Sequence, residues 1–159
     1  MDKLLNLIKN NARESSENLA KLLGSSAAEV DAKLNAYEKA GIILGYQTLI
    51  DDEKLDDTSV TAVIEVRLMA EREGGFNRNA ERISRFPEVR SAFLMSGGYD
   101  LLLFVSGRTL NEVASFVSEK LSPLPGVVGT STHFVLKAYK KNDILMRTPD
   151  ENERPSISP

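Results

Sequence analysis

The chain has 159 residues and a net charge of −3, from 20 Lys and Arg against 23 Asp and Glu. That length allows one large domain or two small ones with a buried core. Cysteine is absent and His133 is the single histidine, which excludes a disulfide framework and a thiolate metal site, and the slightly negative balance means that any nucleic-acid contact must come from a local patch.

No apolar run is long enough to span a membrane. The start, Met1-Asp2-Lys3-Leu4, lacks a signal-peptide layout. A cytoplasmic protein without a bound cofactor or metal is the expectation.

Leu4, Leu5 and Ile8 mark a first amphipathic helix that stops near Asn10-Asn11. A second runs from about Ser16 to Leu23, with Gly24 as its stop. The third has the clearest start, because Ser26 and Glu29 stand at the spacing of a capping box. Val30, Leu34 and Tyr37 follow at i, i+4 and i+7, one helical face. Gly41 ends it, and residues 42–50 read as extended chain. Three short helices, the last two joined by a tight Gly-Ser-Ser turn and followed by a strand, predict a winged helix-turn-helix over residues 1–50. In such a unit the last helix enters the major groove and nearby cations hold phosphates. A three-helix packing unit without DNA is the other reading of the same pattern.

Residues 51–59 open with Asp51-Asp52-Glu53-Lys54-Leu55-Asp56-Asp57, an acidic break that reads as a linker. Its spacing does not match a calcium loop. From residue 60 the pattern alternates. Val60 to Met69 is a predicted strand, with Val60, Ala62, Ile64 and Val66 on one face. Arg72 to Phe76, with Gly74-Gly75, reads as a loop. Phe76, Ala80, Ile83 and Phe86 have helical spacing, and Pro87 stops that helix. Val89 to Met95 and Leu101 to Val105 are strands around Ser96-Gly97-Gly98-Tyr99-Asp100. Thr109 is a fitting N-cap for a helix carrying Leu110, Val113, Val117 and Leu121, which Pro123, Pro125 and Gly126 break. Val127 to Leu136 is the last strand. The order β-α-β-β-α-β predicts a ferredoxin-like domain over residues 60–147, so the expected class is α+β with an antiparallel sheet and helices on one face. The tail, 148–159, is rich in Pro, Ser and charge and has little to bury.

Leu101 to Val105 is apolar at every position. A strand facing water on one side would alternate. The second sheet face is therefore expected to be covered, most simply by the same sheet of a second subunit in a closed two-fold pair.

The helix-turn-helix, Gly45-Tyr46 at the exit, the short linker, Phe86-Pro87-Glu88-Val89, Ser96-Gly97-Gly98-Tyr99-Asp100 and the run from Thr130 to Lys137 stand in an order that resembles the Lrp/AsnC transcriptional regulators. The resemblance covers the chain to about residue 147. It implies a DNA-binding homodimer that assembles further, often to a tetramer of dimers. It also implies that an amino acid or similar small molecule binds the C-terminal domain near subunit contacts. By matching the family's turn, the effector role is carried to Gly97, Gly98, Tyr99 and Asp100, with Thr130 and Thr132 as further candidates. Chemically, glycine N–H groups suit a carboxylate, Asp100 an ammonium, and Tyr99 a pocket wall. The other reading of Asp100 is a residue that caps its own turn.

The reading helix departs from the family in its cations. The candidate DNA contacts are Ser26, Ala28, Ala32, Lys33, Asn35 and Lys39, and Glu29 and Asp31 oppose the two lysines. Residues 1–50 hold six cations and six anions. Phosphate neutralisation supplies most non-specific affinity, so weak DNA binding is expected, and a member that senses an effector or partners a relative without reading DNA is the alternative. Asn35 suits adenine and Ser26 a phosphate.

Enzymatic work, which related architectures perform, would need a base or cationic cluster in a pocket. His133 reads as a core or interface residue inside a strand. Arg78, Arg82, Arg85 and Arg90 read as a solvated face or an inter-subunit patch. No nucleophile–base pair stands out, so no enzyme is expected.

Overall fold

The structure, a computed structural model, describes residues 2–55, 59–70 and 76–146. The predicted Gly74-Gly75 loop, part of the acidic linker and the tail 148–159 lie outside the described residues. The chain divides into two compact units, Met1–Ile50 and Asp51–Pro159.

The first unit is three helices: α1 Lys3–Asn10, α2 Ser16–Leu23 and α3 Ala27–Lys39. Each has a side-chain N-cap. Asp2 accepts from Leu4 N–H at 2.8 Å, Ser15 from Asn18 N–H at 3.2 Å, and Ser26 from Glu29 N–H at 3.3 Å. The predicted capping box is complete, because Ser26 N–H donates to the Glu29 carboxylate at 2.9 Å. Gly24 (φ 65°) turns the chain between α2 and α3, and Gly41 (φ 67°) closes α3, with Gly41 N–H on Glu38 O and Ile42 N–H on Tyr37 O. That paired closure needs a left-handed residue, which glycine adopts without a Cβ clash. Leu4, Leu19, Ala20 and Val30 form the buried centre, and Leu7, Ile8, Leu23, Leu34 and Tyr37 pack around it.

One expectation changes here. Residues 42–50 are extended, but no strand ladder forms on them. A lone extended segment has no second strand within its unit to pair with.

Asp2 does two jobs. It caps α1, and its carboxylate meets the Lys33 ammonium of α3 at 2.7 Å. The Lys33 bond, then the Leu4 N–H, hold the Asp2 carboxyl down to about 2 from the ordinary 3.8. A lowered folded pKa means that the contribution is complete above about pH 4 and is lost as pH falls through 2. Thermal midpoints of the protein and Asp2→Asn will therefore differ at neutral pH and converge between about pH 4 and 2. A gap unchanged across that window would place the stabilisation elsewhere.

The second unit is the ferredoxin-like split βαββαβ fold. Its elements are β1 Val60–Leu68, α4 Asn77–Ser84, β2 Val89–Leu94, β3 Leu101–Gly107, α5 Leu110–Ser115 and β4 Val127–Phe134. The sheet order is β2-β3-β1-β4, antiparallel throughout. Period-2 patterning sends Ala62, Ile64, Val66, Leu68, Leu101, Leu103 and Val105 to one face. Ile83 of α4, Val113 of α5, Phe116 and Leu121 cover them. Thr109 caps α5 by accepting from Glu112 N–H at 3.1 Å.

Several bounds differ from the sequence reading. The first, second and last strands end one or two residues early, and β3 runs on to Gly107. The last helix is α-helical only to Ser115 and then continues as a π-helical turn, Phe116–Leu121. That turn ends with Ser122 N–H bonding Val117 O at 2.8 Å. A hairpin absent from the sequence reading joins β5 Lys140–Lys141 to β6 Ile144–Leu145. Asn142 and Asp143 form its turn at φ 45° and 67°, a pair of left-handed positions that Asn and Asp tolerate.

Candidate functional site

On α3, Ala28, Ala32, Asn35 and Lys39 lie at i, i+4, i+7 and i+11, opposite Val30, and all four are exposed. They form the outer stripe of the helix. The three carboxylates of α3 lie on its flanks, and each is engaged inside the unit. Glu29 accepts from Ser26 N–H, which holds its carboxyl below the ordinary range. Asp31 bonds the Ser16 hydroxyl of α2. Glu38 accepts from the Tyr46 hydroxyl at 2.9 Å.

The stripe is thus free of carboxylates, although the composition of the helix is not. Lys33 leaves the expected set of free cations, because it faces α1 and pairs with Asp2. Lys39 is the remaining cation of the stripe. Ser26 stands at the helix start with its oxygen already accepting the cap bond; its hydroxyl proton is still able to donate.

In the second unit, Gly97 and Gly98 are exposed and Tyr99 and Asp100 are half-buried. The joint begins where Met95 N–H bonds Asp100 O at 2.8 Å. Asp100 is clasped to β1 twice. Its N–H donates to Val66 O at 3.0 Å, and its carboxylate accepts from Leu68 N–H at 2.7 Å. The β1/β3 ladder ends at Val66↔Leu101, so the Asp100 carboxylate takes the Leu68 N–H just beyond the last backbone pair of those two strands. One oxygen therefore has a structural partner, on a neighbouring strand and not within its own turn.

Thr130 and Thr132 stand elsewhere. Register sets them opposite Val66 and Ile64, on the helix-covered face, and the Thr130 hydroxyl lies 3.4 Å from that of Ser122. Strand β1 separates them from β3, about 10 Å at two strand spacings. Gly97, Gly98, Tyr99 and Asp100 are thus contiguous, and the two threonines are not part of the same cluster.

Asp100→Ala leaves the Leu68 N–H without its acceptor and will cost about 1–3 kcal/mol of stability. Asp100→Asn keeps an oxygen there and will lose less than half as much in the same urea titration. Equal losses would show that the charge, not the acceptor, matters.

The open face of the sheet carries Val63, Leu102, Phe104 and Phe93. Phe93 and Phe104 meet edge-to-face with centroids 6.3 Å apart. Glu65, Ser131 and His133 edge this patch. His133 Nε2 is 3.6 Å from the Glu65 carboxylate and 3.2 Å from the Ser131 hydroxyl. His133 is exposed, so the core reading of that residue is not what the fold does. An apolar groove of about 480 Å³ lies in the first unit, between Leu5 and Ile8 of α1 and residues 42–47, and includes none of the expected effector residues. Among the described residues, no group of three or more His, Asp or Glu side chains is placed to hold a metal, and no helix is long and apolar enough to cross a membrane.

The chain thus carries a capped helix-turn-helix with a carboxylate-free outer stripe and, after it, a split βαββαβ unit whose second face is apolar, an arrangement that suits a two-part regulator. Comparisons with known proteins agree. The family model of the Lrp/AsnC ligand binding domain matches residues 61–145. An HTH-type transcriptional regulator of Bacillus subtilis named YugG is 42% identical over 157 residues, covering 98% of this chain and 95% of that protein. A proline dehydrogenase transcriptional activator of Rhodobacter capsulatus is 34% identical, with 80% and 82% covered. A crystal structure of a transcriptional regulator from Neisseria meningitidis in complex with L-methionine superposes with a TM-score of 0.68 at 28% identity, covering 89% of this chain and 93% of that one. The chain belongs to the Lrp/AsnC family, whose members are transcriptional regulators and not enzymes.

Proposed function

We propose that this chain is a cytoplasmic, sequence-specific DNA-binding regulator, with residues 1–50 as the reading head and 60–147 as the sensing and assembly domain, joined by the linker 51–59. The observation that carries it is the outer stripe of α3, whose neighbouring carboxylates are all held by partners inside the unit. Small side chains at Ala28 and Ala32 allow close approach to a groove floor, and Asn35 offers the donor–acceptor pair that fits adenine. Lys39 and the Ser26 hydroxyl suit phosphates.

In this reading the two-fold partner is a second copy of the chain, seated on the open sheet face, and two reading heads then match a two-fold site on DNA. Further assembly to a tetramer of dimers adds linked contacts. The effector is a small amino acid held at Gly97–Asp100. The methionine complex of the Neisseria relative supports that ligand class for this chain.

Fluorescence anisotropy across a salt series tests the DNA reading. The protein will prefer the duplex upstream of its own coding sequence to an unrelated one, and Ala32→Glu, which plants a carboxylate in the stripe, will abolish the preference without unfolding the unit. Equal binding of both duplexes by the parent protein would overturn it. A second reading has one observation in its favour. Lys33 is bound to Asp2, so the stripe keeps one cation, which favours an effector-sensing partner with weak DNA affinity.

A further inference from the structure

A run of exposed arginines lies along α4 and its C-cap, far in sequence from the reading helix. Arg78, Arg82 and Arg85 are spaced i, i+4 and i+7 and are exposed, opposite the buried Ile83. Arg90, also exposed, follows on β2, the edge strand beside α4. None of the four guanidinium groups takes part in an ion pair or hydrogen bond with the described residues. Glu81 is the one carboxylate on α4.

Six other cations have carboxylate partners: Lys33 on Asp2, Lys54 on Asp51, Arg108 on Glu112, Lys120 on Glu88, Lys140 on Asp143 and Lys141 on Asp52. Three guanidinium groups left unpaired on one exposed face repel one another, so a folded-state partner of opposite charge is the natural complement.

We infer that the Arg78/Arg82/Arg85 face of α4 is a second DNA contact, made with backbone phosphates by the assembly domain. The inference rests on the DNA-binding reading above. Three features favour DNA phosphates over an acidic protein surface. All three cations are arginine, whose planar fork grips phosphate oxygens in pairs. The stripe spans about 10 Å of helix, by 1.5 Å per residue, which is the axial run of about three phosphates on one strand at 3.4 Å each. The reading head, with one free cation on its stripe, needs neutralisation from another part of the molecule. The competing occupant, the acidic linker of a second copy, is less available because Asp52 bonds Lys141 and Asp51 lies beside Lys54.

The test uses the full chain and its Arg78→Gln/Arg82→Gln/Arg85→Gln variant, with Arg→Lys at the same three sites as a charge-keeping control. Binding to the upstream duplex and to an unrelated duplex of equal length is followed by anisotropy over a salt series, with sedimentation velocity for assembly state. Losing three phosphate contacts makes the slope of log affinity against log salt shallower by about 2.7 per engaged protomer. Between 50 and 200 mM salt that is about a 40-fold smaller loss of affinity than the parent suffers. The preference for the upstream duplex stays, because α3 is untouched, and the lysine control keeps the parent slope.

An unchanged slope in the glutamine variant, with the parent binding DNA, overturns the stripe and leaves the α3 reading standing. A glutamine variant that sediments as a smaller species overturns it in favour of a contact between copies. A parent protein that binds neither duplex overturns both readings together.

Discussion

Replacing Phe104 with aspartate will convert the proposed dimer to a monomer while leaving each unit folded. Phe104 stands on the open face of β3, edge-on to Phe93 and flanked by Leu102. The helices cover the opposite face, so the new carboxylate enters no core and the fold tolerates it. In a two-fold interface the substitution appears twice. A central aromatic contributes about 2 kcal/mol or more at such a surface, so the pair removes about 4 kcal/mol. That is roughly a thousandfold in the dissociation constant, before the repulsion between two buried carboxylates is counted. Sedimentation velocity at micromolar protein, beside circular dichroism, reads both halves of the expectation. A folded variant that stays dimeric would move the interface off this face.

Leu103→Ala will be the most destabilising single truncation in the second unit. Leu103 is fully buried at the centre of the sheet, paired with Ile64 on one side and Ala92 on the other, with helices above it. Truncation removes the transfer energy of the lost carbons and leaves a void that close-packed neighbours cannot fill, about 2–5 kcal/mol in all. The neighbour Leu102, on the open face, offers the control. In a monomeric background Leu102→Ala will cost well under half as much, because its environment is partly water. Similar losses at both positions would mean that the two faces of β3 are equally buried.

The contrast between those two leucines also marks what the sequence makes legible. A run of five apolar residues cannot be split into faces by its own pattern, yet it announces that both faces are needed. Pro87 and the Pro123/Pro125 pair stop the two crossover helices where composition says they should, and the alternation of β1 sorts its own faces. The Ser26/Glu29 spacing places the start of α3 to the residue. What stays hidden is long-range pairing. Nothing local says that Asp2 will hold Lys33, that Ser16 will hold Asp31, or that Tyr46 will hold Glu38. Those pairs change the reading of α3, since the acids that look like opponents of DNA binding are tied to donors inside the unit, though still charged, and one lysine is taken by Asp2.

The candidate effector residues show the same limit. Gly97 to Asp100 are contiguous, so their proximity is legible. Thr130 and Thr132 depend on strand order and register, which place them under the helices and across β1. The Leu68 N–H that Asp100 binds is a backbone group and has no signature of its own. Asn142-Asp143 did carry a usable sign of the last hairpin, because two consecutive residues that accept left-handed geometry between apolar and basic pairs are a turn signal.

On the proposed effector reading, the clasp between Asp100 and the end of β1 makes capture of an amino acid a matter of exchange. An ammonium drawn to Asp100 meets a carboxylate that already has an internal occupant, the Leu68 N–H, just beyond the end of the ladder between β1 and β3. The ligand shares or displaces that occupant, so its net affinity is a difference between two hydrogen bonds rather than the whole of one. Displacement frees the Leu68 N–H at the end of β1, and β1 is also the strand that follows the linker in the chain. Its nine residues, eight steps of about 3.3 Å, form a strand some 26 Å long between the two ends. Whatever loosens one end of that strand is felt along a single hydrogen-bonded element, with no loop in between to absorb it.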